Sequence, residues 1–507
     1  MKNALRLIRD ILPFSQSDPE PDAGEIRSRI DTMAGLSSLE IVTVLALEII
    51  PAIEEQANLH MRYKLLEEAR EEAEKALPML ERQIDRASLP LPLTMTSAAL
   101  AADSVMKGLA TGYYGIARSI SISGHYREFG RMFLRAIRRS ISMISRRQLL
   151  AYRTYAKPSA SSWQMLHELY LMASNLGPRI PEQDMTKIRK RYLSVLIFAY
   201  IEPNKLPRAE LTSAAFCARQ LSCHARIGEV PQDLHKRPST AGCFIVRPEE
   251  GSPGHALFRM APNTPVFEGL LVDCSDILAM LDKSMQVSQV DAEEGRLDIP
   301  PGLMSVLMHS IGGNSKRRFG RKRFKPRADM VGGIAQVIPF LEGDAHARRV
   351  TDGSKRRRAN DFTPSEWSLI DQSPDGFLVR LIQGESWDTG VGNVVALQPR
   401  ETSTVHVCMV RRVATDSVGS LELGLQALSP LVQVIDLPGH AERRRGIYLH
   451  NLPAYGSRPA VMAQPGHLVS GLRVRVERDG AVRQMQVGRR LEASEGLELF
   501  ALIPLLN

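Results

Sequence analysis

Cysteine is scarce in this chain. Cys217, Cys223, Cys243, Cys274 and Cys408 are the only thiols in 507 residues. Few, odd in number and scattered, they speak against a disulfide framework and suit a reducing cytoplasm, which is the expected location. Cys217, Cys223 and His224 lie close in sequence, yet no Cys-x-x-Cys pair or second histidine follows at ligand spacing. No metal site is therefore expected, and the thiols read as buried. Long apolar runs are also missing. The longest, Ile41 to Ile50, contains Glu48 and ends at Pro51, well short of the roughly 20 residues a membrane span requires. It reads as a buried helix, and no membrane span is expected. The opening Met1-Lys2-Asn3-Ala4-Leu5-Arg6-Leu7 meets Arg9 and Asp10 before any signal-peptide core can build. Missing too are a glycine-rich phosphate loop, a His-Glu-x-x-His helix and a nucleophile elbow. The expectation is no enzyme, no catalytic residues and no cofactor.

What the chain does have is basic charge. It carries 65 Lys+Arg against 56 Asp+Glu, a net charge of +9. That surplus permits a nucleotide, a nucleic acid or an anionic membrane surface as partner and selects none of them. With 44% hydrophobic and 24% charged residues, the composition is that of a globular protein with a sizeable core. The length implies two to four domains.

Residues 1–24 form a polar, proline-broken stretch read as a flexible tail. Residues 25–240 read as an all-α helical domain. Leu36-Ser37-Ser38-Leu39-Glu40 opens one helix with serine caps. Leu59 to Ile84 keeps helical spacing, although Pro78 should kink or break it. Ala98 to Tyr126 and Phe129 to Tyr155 read as a helical pair around Gly124. Arg135, Arg138, Arg139, Arg146 and Arg147 on the second of these read as a solvated face, with a nucleic-acid or lipid surface as the rarer alternative. Trp163, His167 and Tyr170 form an i, i+4, i+7 stripe read as core. Residues 241–310 read as a connecting segment, with strand-like runs at Cys243 to Val246 and Ala256 to Met260 and helix at Val272 to Leu281 and Leu303 to Ser310. Residues 441–507 read as a β extension with strands near Gly446, Ala460, Leu472 and Leu497. Asp479-Gly480 supplies a hairpin signal.

Between these lie residues 311–440, with the most informative stretch of the chain. Asp371-Gln372-Ser373-Pro374-Asp375-Gly376 has the spacing Asp-x-Ser-x-x-Gly and follows an extended apolar run, Trp367-Ser368-Leu369-Ile370. About fifty residues upstream stands Lys316-Arg317-Arg318-Phe319-Gly320-Arg321-Lys322-Arg323, with an Arg-x-x-x-Arg pair at Arg317 and Arg321. Gly332 to Leu341 reads as the strand between the two motifs, and a polar insert holding Lys355-Arg356-Arg357-Arg358 follows it. Val405 to Val413 and Leu421 to Ser429 read as further strands. Arginines first, then a strand with the hexapeptide, then these two segments: the order resembles PilZ domains, small β-barrels that bind cyclic di-GMP, a bacterial second messenger.

That resemblance implies an antiparallel PilZ-like β-barrel over 311–440. It also implies a cyclic di-GMP site made by Arg317, Arg318, Arg321, Asp371, Ser373 and Gly376. The chemistry agrees independently. Arginine forks match phosphate oxygens and the O6/N7 edge of guanine. A carboxylate and a hydroxyl two residues apart on a strand address one side together. Arg323 and Arg327 satisfy the same spacing, so which arginines form the clamp stays open. Gly332-Gly333 is followed by Ile334, which fails the Gly-Gly-acidic pattern of enzymes that make the messenger. The function expected is a non-enzymatic receptor that passes its signal through the helical domain to an unidentified protein partner. A basic nucleic-acid-binding protein and a ligand-free adaptor are the alternatives.

Overall fold

The computed structural model describes residues 22–231, 234, 239–260, 268–286, 299–313, 326–343, 363–384, 389–416, 419–438, 444–478 and 481–505. The chain divides near Lys316 into two compact units, a helical one followed by antiparallel sheets, which is the fold class the sequence implies.

In the first unit, α1 (Ala23–Asp31) precedes α2 (Ser38–Val44), which runs through a π-helical turn into α3 (Ile50–Glu54). Ser37 caps α2 as expected: its Oγ accepts from the Glu40 amide at 3.3 Å, and the Glu40 carboxylate accepts from the Ser37 amide at 2.8 Å. Helix α4 (Leu59–Arg86) continues through Pro78, so the expected break does not occur. Pro78 is exposed, where water can take the carbonyl it leaves free. On the opposite face, Leu65, Leu66, Ala69, Ala73, Leu77, Leu80 and Ile84 are buried along both halves of the helix and hold it together. Helices α5 (Leu93–Ser123) and α6 (Tyr126–Arg153) form the expected pair about Gly124. Then come α7 (Ala160–Ser174), α8 (Glu182–Tyr200) and α9 (Arg208–Leu221).

The Trp163, His167 and Tyr170 stripe of α7 is core, with Trp163 fully inside and Tyr170 stacked on Tyr192 at 4.3 Å. His167 donates from Nε2 to the Ser252 carbonyl at 2.8 Å, because that carbonyl can only accept. Its Nδ1 then accepts from the Tyr192 hydroxyl, also at 2.8 Å. Burial pushes the imidazole pKa down.

A four-stranded antiparallel sheet follows: β1 (Arg226–Glu229), β2 (Cys243–Val246), β3 (His255–Ala256) and β4 (Leu270–Asp273), in the order β1-β4-β2-β3. Two local expectations change here. Val272 to Leu281 begins as strand β4, and the helix α10 (Ser275–Gln286) starts only after Cys274. Ala256 to Met260 gives one strand residue, Ala256 at the end of β3, and then a 3-10 turn. Helix α11 (Pro301–Gly312) follows.

In the second unit, β5 (Arg327–Gly332), β6 (Ser365–Ser373), β7 (Gly376–Gln383), β8 (Val394–Pro399), β9 (His406–Thr415) and β10 (Leu421–Ser429) close a six-stranded barrel. The order is β10-β7-β6-β5-β8-β9, every pair antiparallel. Gly332 to Leu341, expected as a strand, is not one: only Gly332 belongs to β5, and Ile334–Glu342 is helix α12. Ile334, Val337, Ile338 and Phe340 are its buried residues, a helical rather than alternating spacing. Gly333, at φ +78°, makes the switch from strand to helix.

A second sheet completes the unit: β11 (Val432–Leu437), β12 (Arg444–Leu452), β13 (Arg458–Ala463), β14 (Arg473–Arg478), β15 (Ala481–Ala493) and β16 (Glu498–Pro504), in the order β11-β12-β13-β16-β15-β14. Its four expected strands are present. Arg478 pairs with Ala481 across Asp479-Gly480, as the hairpin signal implies. One face of this sheet, with Ile447, Leu449, Ala460, Met462 and Leu499, packs on α12 and the barrel residues Val394 and Met409. The other face gathers Val461, Val474, Val476, Met485 and Val487 into its own core.

Candidate functional site

Asp371, Ser373 and Gly376 come together on the β6–β7 hairpin. Simple alternation would set Asp371 and Ser373 on the same side as Trp367 and Leu369, which point into the barrel and are fully buried. The structure does otherwise. Leu369 pairs with Val379 but Asp371 pairs with Leu378, so Ile370 is an extra residue, a β-bulge. A one-residue slip moves every following side chain to the other face. Val379 is buried inside and Leu378 is its outward neighbour, so Asp371 and Ser373 face out, both half-buried. The bulge thus turns the carboxylate and the hydroxyl from the core to the surface.

Gly376 has a structural reason to be glycine. Its φ is +152°, and a Cβ built there would stand 1.9 Å from the Leu425 carbonyl oxygen on β10. The hairpin and β10 are pressed together at this point: Gly376 pairs with Gln426, and the Ala427 amide donates to the Asp375 carbonyl at 2.9 Å. Ser373 Oγ reaches the Gly376 carbonyl at 3.4 Å, a long bond that a better acceptor or donor can replace. At the barrel end, Phe377 packs on His406 with ring centroids 5.0 Å apart, and burial lowers the His406 pKa.

Arg317, Arg318 and Arg321 lie outside the described residues, as do Arg323 and the 355–358 run. The alternative Arg327 is described, and it is engaged: its guanidinium holds Glu366 at 2.6 Å. Arg400 beside it forks onto Asp329 at 2.9 and 3.1 Å, and this carboxylate raises the Arg400 pKa. Both acidic partners are buried. Arg327 thus stands in an ion pair at the start of β5, with its side chain largely exposed. Arg380 likewise pairs with Glu422.

Sequence reading missed Arg411. Val407, Cys408, Met409 and Val410 are buried in succession, then Arg411 emerges half-exposed. Its Nε donates to Gln426 Oε1 at 2.7 Å and its Nη2 to Glu492 Oε2 at 3.1 Å, while the Tyr455 hydroxyl donates to the same oxygen at 2.6 Å. Burial opposes the guanidinium charge, but its bonds to Glu492 and the charge of that carboxylate outweigh it and the pKa rises. The sequence signal was an arginine breaking a run of four core residues.

The basic face of α6 is not solvated as expected. Arg138 holds Asp184 at 3.0 Å. Arg139 forks onto Glu67 at 3.1 and 2.9 Å, Arg146 onto Glu81 at 2.6 and 3.2 Å, and Arg147 onto Asp103 at 2.6 and 3.1 Å. Tyr113, fully buried, adds its hydroxyl to Glu67 at 2.5 Å. Of the five, Arg135 alone is exposed. The other four tie α6 to carboxylates of α4, α5 and α8 and are engaged in packing.

A cavity of about 330 Å³ in the second unit is lined by Gly333 to Ala335, Asn393, Val394, Gln464, Pro465 and Glu495 to Leu497. None of the hexapeptide lines it. Among the described residues no group of three or more His, Cys, Asp or Glu side chains could hold a metal ion, and no helix is long and apolar enough to cross a membrane.

Residues 43–232 match the family described as cyclic-di-GMP receptor FimW, N-terminal domain. The match falls on the helical region, which the sequence reading assigned to no family, and not on the C-terminal part that carries the hexapeptide. No curated protein and no solved structure matches the chain.

Proposed function

We propose that the protein is a non-enzymatic cytoplasmic receptor for cyclic di-GMP, with the ligand seated on the β6–β7 hairpin of the barrel. The observation that carries this reading is the bulge at Ile370. It sets Asp371 and Ser373 side by side on the outer face of the hairpin, whose return strand begins at Gly376. A carboxylate accepts from the N1 and N2 donors of guanine, and a hydroxyl serves as donor or acceptor. Arg317, Arg318 and Arg321 are proposed to supply the phosphate and guanine contacts. The match of residues 43–232 to a receptor's N-terminal domain supports the same reading from a separate part of the chain. In this proposal the helical unit passes the signal to a protein partner.

Titration calorimetry of the full chain tests it. Cyclic di-GMP is expected to bind with an affinity only weakly dependent on salt, while GMP and cyclic di-AMP fail to compete. Binding to DNA or RNA that falls steeply with salt, with no heat from cyclic di-GMP, would favour a nucleic-acid partner instead.

A further inference from the structure

The outer face of the barrel carries a row that starts at Ser373. Ser373 pairs with Gly376, and Gly376 pairs with Gln426 on β10. Gly376 brings no side chain, so Gln426 is the next side chain along the row. Gln426 Oε1 in turn accepts from Arg411 at 2.7 Å. Arg411 owes this position to a second bulge. Arg412 pairs with Gly424 and Val410 with Leu425, so two successive residues of β10 face three of β9 and Arg411 is the extra one. Bulges re-aim a side chain, and this one aims it two ways. One edge of the guanidinium meets Gln426; the other grips Glu492 of β15, which also accepts from Tyr455 in the turn after β12. Leu425, beside the bulge, is the residue whose carbonyl sits against Gly376.

We propose that Arg411 is a positioning residue that joins the Asp371–Gly376 turn to the second sheet, so that occupancy of the turn is felt at β15. The inference rests on reading that turn as the cyclic di-GMP site. A half-exposed Arg–Glu pair adds little to stability on its own. A bulge, an amide and a tyrosine hydroxyl converging on one guanidinium fix its orientation instead, and orientation is what a neighbouring turn can sense. Coupling of this kind is reciprocal: what ligand does to β15, a change at β15 does to ligand affinity. It also requires that the ligand favour one arrangement of the turn over another.

The test uses the full chain and three variants, Glu492→Gln, Arg411→Lys and Tyr455→Phe. Each is measured for cyclic di-GMP affinity by calorimetry and for amide exchange of residues 485–493 with and without ligand. In the wild type, ligand should slow exchange in β15. Glu492→Gln and Arg411→Lys should weaken binding about five- to tenfold and abolish that slowing, although Glu492 lies on the other sheet. Tyr455→Phe, which removes one hydroxyl, should give a smaller loss and remains informative should either of the others fold poorly. Wild-type affinity in all three variants, with β15 protected equally, overturns the inference and leaves the receptor reading intact. No binding by the wild type overturns both.

Discussion

The two units use arginine in different ways. In the helical unit, Arg138, Arg139, Arg146 and Arg147 of one helix are spent on carboxylates of three others. The charge that looks like a surface for anions is the glue of a bundle. In the β unit, Arg327, Arg380 and Arg400 are also paired with carboxylates, while a bulge turns Asp371 and Ser373 to the outer face. Basic charge therefore marks packing in one unit and does not by itself locate a site in the other. The β unit has several register shifts, and the proposed site lies beside the one at Ile370. The family match and the site geometry also fall in different units, so neither borrows from the other.

The sharpest way to break this contrast is Gly376→Val. The new side chain would meet the Leu425 carbonyl, and relief requires opening the barrel. The expected cost exceeds about 4 kcal/mol, as for other severe backbone clashes. Denaturant titration should show the β unit unfolding early while helical dichroism persists. Next in size is Trp163→Ala, which empties a fully buried site in the helical unit. It should cost about 3–5 kcal/mol there and leave cyclic di-GMP affinity unchanged, since the proposed site lies in the other unit. Ser373→Ala removes one neutral hydroxyl. Losing its hydrogen bond should weaken ligand binding by about 0.5–1.5 kcal/mol, or roughly two- to tenfold, at unchanged thermal stability.

The smallest effect is in pH. Burial lowers the His167 pKa below its ordinary 6.5. As pH falls through 6.5 the unfolded chain takes up a proton that the folded chain refuses, so stability falls below that point. Protonating Nδ1 would also remove the acceptor that Tyr192 uses. His167→Gln should flatten the decline in melting temperature between about pH 7 and 5.5, relative to wild type. An unchanged slope would place the titration elsewhere, for instance at His406, which burial shifts in the same direction.

Much of the fold was legible because the signals were local. Serine caps, the pause at Gly124, the spacing of Leu65 to Ile84 and the Asp-Gly hairpin each act within a few residues. What escaped was set by distant partners. Val337 and Ile338 read as strand until Gly333 turns the chain and the second sheet covers α12. Pro78 reads as a kink or break until the buried face on the other side keeps the helix continuous through it. The candidate site was legible in its residue types but not in its geometry. Nothing in Trp367-Ser368-Leu369-Ile370-Asp371 announces which residue bulges; pairing with β7 decides that. Arg411 breaks an apolar run in the sequence, but its bulge is likewise decided by pairing, here with β10.

The central claim is that cyclic di-GMP binds at the barrel hairpin and not in the helical unit that matches the receptor family. Titration calorimetry of Asp371→Ala beside the wild type tests this most directly. A lost hydrogen bond from a charged group is worth about 1.5–3 kcal/mol, so affinity should fall by about one to two orders of magnitude while the melting curve stays the same. Equal affinities for Asp371→Ala and wild type would contradict the claim and move the search for the ligand away from this hairpin.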